Sequence, residues 1–127
     1  MSTNNEVGTV PVQITLDETA GALILVYSDK REFEFTCEFL RVFSPSAEVV
    51  GHGPGQRVNP VGKESVRIER IEPVGNYAIR IVFSDGHDTG IYSWKYFQWL
   101  AKNKENIWTK YIKETSNNQP GRKGYTT

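Results

Sequence analysis

The chain has 127 residues, which suits a single domain, and a domain of this size buries roughly two-thirds of the surface that its unfolded chain exposes. Its 15 Lys and Arg residues balance 15 Asp and Glu residues, so we expect neither a nucleic acid nor an anionic membrane as a partner. The start of the chain lacks a signal-peptide pattern, no apolar run could span a bilayer, and one cysteine cannot form an intramolecular disulfide, which together predict a cytoplasmic protein.

The first half of the chain predicts three strands and a short helix. Alternating apolar residues predict a strand over residues 10–15, and an apolar run predicts its hairpin partner over residues 22–27. A third strand over residues 32–35 leads into a helix over residues 37–42. Thr36 can cap this helix, because its hydroxyl can accept a hydrogen bond from a backbone amide.

The second half of the chain predicts the same order of elements. Strands are expected over residues 65–71, 77–83 and 90–92, with a turn at 72–76 and a hairpin turn at 84–87. Ser93 can cap a helix that opens over residues 94–100, and a second helix is expected over residues 106–114.

The two halves match as an internal repeat. Residues 25–29 correspond to residues 81–85, and residues 35–40 correspond to residues 92–97 with one residue of slippage. The sequence therefore predicts an α+β domain of two related β-rich units. Each unit ends in a helix, a long Gly/Pro loop joins the units, and a C-terminal helix closes the domain.

The domain is expected to span residues 10–114. It lies between a flexible start over residues 1–9 and a disordered tail over residues 115–127, which is rich in Asn, Gly and Lys.

The loop over residues 44–64 is the longest segment without a predicted element, and loops of this length are usually functional or mobile. His52 lies there among glycines, which let a backbone approach a ligand closely, so it could bind a metal or move a proton. The alternative is a surface turn with an incidental histidine. A phosphate cradle is disfavoured, because the glycines match neither known phosphate-binding pattern.

Two further residues could carry chemistry. His87, beside Asp88, could be a metal ligand, although an exposed hairpin residue is the interpretation that the turn sequence favours. Cys37 could be a nucleophile, but its place on the inner side of a short helix favours a buried structural cysteine. The sequence offers no catalytic constellation, so we do not expect an enzyme.

Several blocks carry a family resemblance: residues 39–48, residues 51–55, and the stretch from residue 71 through residue 94. They resemble the gamma-butyrobetaine hydroxylase-like N-terminal domain family, and the likeness covers residues 10–113. The resemblance implies a domain of unknown function that occurs alone, fused to iron-sulfur carrier ATPases, or ahead of the catalytic domain of carnitine-synthesis dioxygenases. In the dioxygenases it looks like a zinc-binding and oligomerisation module.

The resemblance also implies where zinc would bind in relatives that carry it. Those relatives have a Cys-Pro-Cys-x-x-Cys run and a later histidine, which together give four ligands. Ser44, Ser46 and Val49 stand in place of the three cysteines here, and His87 matches the histidine. We therefore expect the structural zinc site to be absent from this chain.

These features predict a non-catalytic accessory module that binds a protein partner or self-associates, and that is linked to iron-sulfur or metal handling. Seven residues form the expected binding loop: Arg41, Ser44, Ser46, Glu48, His52, Gly53 and Gly55. Two alternatives remain open. One is a protein that binds iron or zinc weakly through His87 and His52 with an acid such as Glu48 or Asp88, and the other is a small-ligand sensor that uses the same loop.

Overall fold

The two predicted units form two antiparallel sheets. A computed structural model describes residues 9–46 and 60–116 of the chain. The elements in those ranges are β1 (Gln13–Asp17), β2 (Ala22–Val26), β3 (Glu32–Thr36), α1 (Cys37–Val42), β4 (Ile68–Val74), β5 (Ala78–Phe83), β6 (Ile91–Ser93) and α2 (Trp94–Thr115). The strand orders are β1-β2-β3 and β4-β5-β6, so the predicted α+β fold is confirmed.

Both sheets pass into a helix through the same cap. Thr36 and Ser93 precede α1 and α2 with nearly equal backbone angles, φ −70° and ψ 157° against φ −73° and ψ 159°. Each hydroxyl accepts a hydrogen bond from the backbone nitrogen three residues on, Phe39 at 3.1 Å and Tyr96 at 3.0 Å. The repeat found in the sequence is therefore also a repeat of local geometry.

Strands β1 and β4 differ most from their predicted bounds. Strand β1 begins at Gln13 rather than at residue 10, because Pro11 has no N–H to give to a strand ladder. Strand β4 runs from Ile68 through Pro73 to Val74, so the turn predicted at residues 72–76 is wrong over its first half. A proline is tolerated there because β4 lies at the edge of its sheet.

The two helices predicted in the last third of the chain are one helix. Helix α2 runs without a break from Trp94 to Thr115. The segment between the two predictions, residues 101–105, has no glycine or proline that would end a helix. Thr115, the last residue of the helix, is buried, and its hydroxyl donates to the carbonyl oxygen of Tyr111 at 2.8 Å.

Helix α2 joins the two sheets through one aromatic core. The Phe97 ring lies 5.6 Å from the ring of Phe35 in the first sheet and 5.6 Å from the ring of Tyr92 in the second. Further along α2, the Trp108 ring lies 6.0 Å from that of Phe39 in α1. Both repeats therefore bury their apolar faces against the same helix.

None of the helices in residues 9–46 and 60–116 is long and apolar enough to cross a membrane.

Candidate functional site

Three of the predicted site residues meet in the interior of the fold. Ser44 and Ser46 follow α1, and His87 lies in the turn between β5 and β6. The Ser44 hydroxyl lies 2.9 Å from His87 Nε2, and the Ser46 hydroxyl lies 3.4 Å from the same nitrogen. We call Ser44, Ser46 and His87 the hydroxyl–histidine cluster.

The cluster is buried, which corrects the expectation that His87 is exposed. Only 7% of His87 is accessible to solvent, and the values for Ser44 and Ser46 are 0% and 6%. A Ser-Asp-Gly-His turn is normally a surface feature. Here the chain that leaves α1 lies over the turn and supplies hydroxyls to the ring, so the buried polar groups have hydrogen-bond partners.

Gly90 makes room for the cluster. A Cβ atom at this position would lie 2.2 Å from the Ser44 hydroxyl oxygen, which is closer than two such atoms can approach. Next to it, the Tyr92 hydroxyl donates to the carbonyl oxygen of Leu40. Burial raises the pKa of Tyr92, so its phenol stays neutral and keeps this proton.

A group of charged side chains lies beside the cluster, and we call Arg41, Lys63 and Asp85 the charged corner. Arg41 Nε and Lys63 Nζ both lie 2.8 Å from Asp85 Oδ2. The other Asp85 oxygen accepts a hydrogen bond from the backbone nitrogen of His87 at 3.1 Å. The corner and the cluster are therefore joined through one turn.

The pKa of Asp85 reflects two opposed effects. Burial by itself raises the pKa of this carboxyl group. Hydrogen bonds from Lys63, from the His87 backbone and from Arg41 outweigh burial and lower the pKa from 3.8 to about 2. Asp85 is thus ionised at neutral pH, and the three side chains of the corner carry one net positive charge.

The cluster does not fit zinc. Zinc sites in proteins use thiolate, imidazole and carboxylate ligands, whereas a serine hydroxyl stays protonated at neutral pH and binds zinc poorly. The described residues contain no group of three or more His, Cys, Asp or Glu side chains that could hold a metal ion. What the site offers is a buried hydrogen-bonded cluster beside a group of side chains with net positive charge.

The remaining predicted residues fall into two groups. Four of them, Glu48, His52, Gly53 and Gly55, lie outside the described residues. Cys37 lies in the core, as predicted, with 1% of its surface exposed, and burial raises the pKa of its thiol.

Sequence reasoning missed three residues of the site. Asp85 was visible in the repeat, where it matches Asp29, but the match alone does not show that it gathers two cations. Gly90 was visible as the glycine that takes the place of Phe33 when Tyr92 is matched with Phe35, but the match does not show what fills the space. Nothing in the sequence indicated Lys63, because its contact with Asp85 joins residues 22 positions apart.

Comparison with known proteins agrees with this architecture. The family model described as gamma-butyrobetaine hydroxylase-like, N-terminal, matches residues 14–98. A crystal structure of a protein of unknown function from Acidithiobacillus ferrooxidans, assigned to the DUF971 family, is 34% identical. The match covers 73% of this chain and 93% of that one, with a TM-score of 0.60.

Two solution NMR structures are also similar. One is 35% identical over 94% of this chain and 97% of its own, with a TM-score of 0.74. The other is 39% identical over 96% of this chain and 90% of its own, with a TM-score of 0.72. No curated protein matches the chain. The chain belongs to the gamma-butyrobetaine hydroxylase-like N-terminal domain family.

Proposed function

We propose that this protein is a non-catalytic accessory module that binds a protein partner through the charged corner. One observation carries the proposal: two cationic side chains share a single carboxylate oxygen, each at 2.8 Å. Asp85 can balance only one of them, so the corner presents excess positive charge on side chains that are already held in place. Such a surface suits an acidic group of a partner.

Arg41 is the strongest single contributor in this proposal. A guanidinium has five N–H donors in a rigid plane, and Nε is the one that bonds Asp85. An arginine that is ordered by a neighbouring carboxylate is typical of the residues that dominate binding energy at protein interfaces.

The family supports a setting for this binding. Its members occur fused to iron-sulfur carrier ATPases and to dioxygenases, so we propose that the partner takes part in iron-sulfur or metal handling. Domains that recur in such fusions commonly share the setting of their fusion partners, and the charged corner adds the requirement for an acidic partner.

Affinity capture of the tagged protein from its own host, followed by quantitative mass spectrometry, tests the proposal. We expect Arg41→Ala and Lys63→Ala each to reduce capture of the same partner at least about tenfold, the loss typical of a hot-spot residue. Arg70→Ala is the matched control, because Arg70 forms an exposed ion pair with Glu72 at 2.9 Å. Equal capture by all four proteins would mean that the charged corner is not the binding surface.

Metal analysis separates this proposal from weak metal binding. We expect no stoichiometric zinc or iron in the tag-free protein, and no shift of the His87 NMR signals on titration with either metal. The variant Ser44→Cys/Ser46→Cys should acquire about one zinc ion per chain, because two thiolates and the imidazole would then converge. Stoichiometric metal in the unaltered protein, with His87 signals shifting, would favour the metal-binding alternative.

A further inference from the structure

Strand β1 differs from the other outer strands in the features that prevent pairing with another chain. The outer strands of the two sheets are β1, β3, β4 and β6. Strand β3 carries Glu32 and Glu34, and the Glu34 carbonyl oxygen is covered by Lys104 Nζ at 2.6 Å. Strand β4 contains Pro73 and a register irregularity, and β6 has only three residues. These are the usual devices that prevent an edge from pairing with another chain.

Strand β1 lacks such devices along most of its length. Residues 12–16 carry no charge, and proline precedes the strand instead of interrupting it. Val12 and Ile14 are 65% and 37% exposed although both are apolar. With Leu16 they occupy alternate positions, as residues on one face of a strand do. We call Val12, Ile14 and Leu16 the β1 strip.

At Leu16 the β1 strip meets a pocket that is partly lined by charged side chains. This open pocket has a volume of about 360 Å³, with an apolar floor and a polar rim. Its lining residues include Leu16, Cys37 and Ile68 on the floor and Asp17, Glu18, Glu69 and Arg67 on the rim. Three carboxylates face one guanidinium there, so the rim is net negative.

We infer that β1 binds an extended segment of a partner protein that adds a fourth strand to the first sheet. The segment has apolar side chains at alternate positions over the β1 strip and places a Lys or Arg side chain in the pocket. Backbone hydrogen bonds along the open edge supply affinity, and the side chains supply selectivity.

Charge complementarity selects this occupant over a second copy of the chain. A lysine or arginine can lay its aliphatic stem over Leu16 and Ile68 and bring its cation to Glu18 and the other rim carboxylates. A second β1 strand laid antiparallel would bring no basic residue to the rim, because residues 9–18 contain none. The β1 strip is also remote in sequence from the charged corner, so this site does not depend on the proposed function.

The probe is the capped peptide acetyl-Lys-Thr-Val-Thr-Val-Ser-Val-amide, titrated into ¹⁵N-labelled protein and followed by NMR. In antiparallel pairing its lysine lies opposite Leu16, and its first two valines lie opposite Ile14 and Val12 of the β1 strip. We expect saturable shifts confined to β1 and the pocket. The same peptide with glutamate in place of lysine should bind roughly tenfold more weakly, because it meets a like charge.

Four variants sharpen the test, and the first two form a matched pair. Val12→Lys should abolish the shifts, because it places a charge on the strip, whereas Val61→Lys should not, since Val61 is an exposed valine elsewhere (40%). Thermal melting checks that both variants fold. Glu18→Lys/Glu69→Lys should reverse the preference between the two peptides, and Arg41→Ala should leave peptide binding unchanged.

Three results would overturn the inference. The first is the absence of saturable shifts with the lysine peptide. The second is equal binding of the lysine and glutamate peptides. The third is a concentration-dependent dimer, measured by sedimentation, that Val12→Lys disperses, since the occupant of β1 would then be a second copy of this chain.

Discussion

The two repeats contain a turn with the same backbone hydrogen bonds but with different side-chain surroundings. In the first repeat the backbone nitrogen of Tyr27 donates to the Arg31 carbonyl oxygen, and in the second Phe83 donates to His87, both at 2.9 Å. Asp29 and Asp85 each accept a hydrogen bond at 3.1 Å from the backbone nitrogen two residues on. The backbone design of the turn is therefore the same in both copies.

The side chains and their surroundings differ. In the first turn Asp29 pairs with Arg31, two residues away, and both side chains are well exposed, at 57% and 41%. In the second turn the aspartate gathers two cations from distant parts of the chain, and His87 points into the protein. The comparison shows that the site arises from what packs over a common turn, and not from an unusual backbone.

The largest expected difference between the repeats concerns Gly90. Its counterpart in the first repeat is Phe33, because Tyr92 matches Phe35. We expect Gly90→Ala to lower the free energy of unfolding by about 3 kcal/mol, since its Cβ would overlap the Ser44 hydroxyl.

A double-mutant cycle, measured by urea unfolding, identifies the cause of that loss. If the Ser44 hydroxyl is responsible, Ser44→Ala/Gly90→Ala should be no less stable than Ser44→Ala alone. Additive losses would mean that Gly90 matters for another reason, such as backbone freedom.

The second expected difference compares the last residues of the two turns. His87→Ala should cost about 2 kcal/mol, because it leaves the buried hydroxyls of Ser44 and Ser46 without their imidazole partner. Arg31→Ala should cost no more than about 1 kcal/mol, because its ion pair with Asp29 is exposed to solvent and its guanidinium otherwise contributes a cation–π contact 4.9 Å from the Tyr27 ring centroid. Similar losses in both variants, measured by urea unfolding, would contradict the distinction drawn between the turns.

The smallest expected difference is in pH dependence. Asp85 has a lowered pKa in the folded state, so it stabilises the fold above its ordinary pKa of 3.8, and this contribution is lost as pH falls toward about 2. Asp85→Asn should cost about 1 kcal/mol at pH 7 after allowance for solvent screening. The gap between the variant and the unaltered protein should close between pH 4 and pH 2.

Asp29→Asn is the control for this experiment. The pKa of Asp29 is also lowered, first by the hydrogen bond from the Arg31 backbone, but its carboxylate is exposed and in contact with solvent. Its pH-dependent gap should therefore be the smaller of the two. An equal or larger gap for Asp29→Asn, measured by urea unfolding at several pH values, would show that the charged corner contributes no more pH-dependent stability than an exposed ion pair.

Local features of the fold were predictable from sequence, because local chemistry determines them. Thr36 and Ser93 each stand where a strand pattern changes to a helical pattern, a position that favours a helix N-cap. Each residue caps a helix in the structure. The repeat was visible because the two copies keep the same turn residues. Pro73 was misread because whether a strand lies at an edge is a property of the sheet, which the segment itself does not reveal.

The site was harder to predict because it joins distant parts of the chain. The contact between Ser44 and His87 spans 43 residues, and that between Arg41 and Asp85 spans 44. Family resemblance identified Ser44, Ser46 and His87 as equivalent positions, but not that the hydroxyls would hydrogen-bond the imidazole. The partners of Asp85 depend wholly on packing, so no local pattern could have named them.

Helix α2 couples the unfolding of the two repeats, because it packs against both sheets. Phe97 lies between an aromatic ring of each sheet, and Trp108 contacts Phe39 of α1. Neither repeat therefore possesses an interior of its own, and a fragment that ends at residue 46 would expose Phe35 and Phe39 to water. The order of strands and helix is repeated, but each copy depends on the shared core for its stability. We therefore expect both halves to unfold in a single cooperative transition, so a destabilising substitution in either copy should lower the stability of the whole domain.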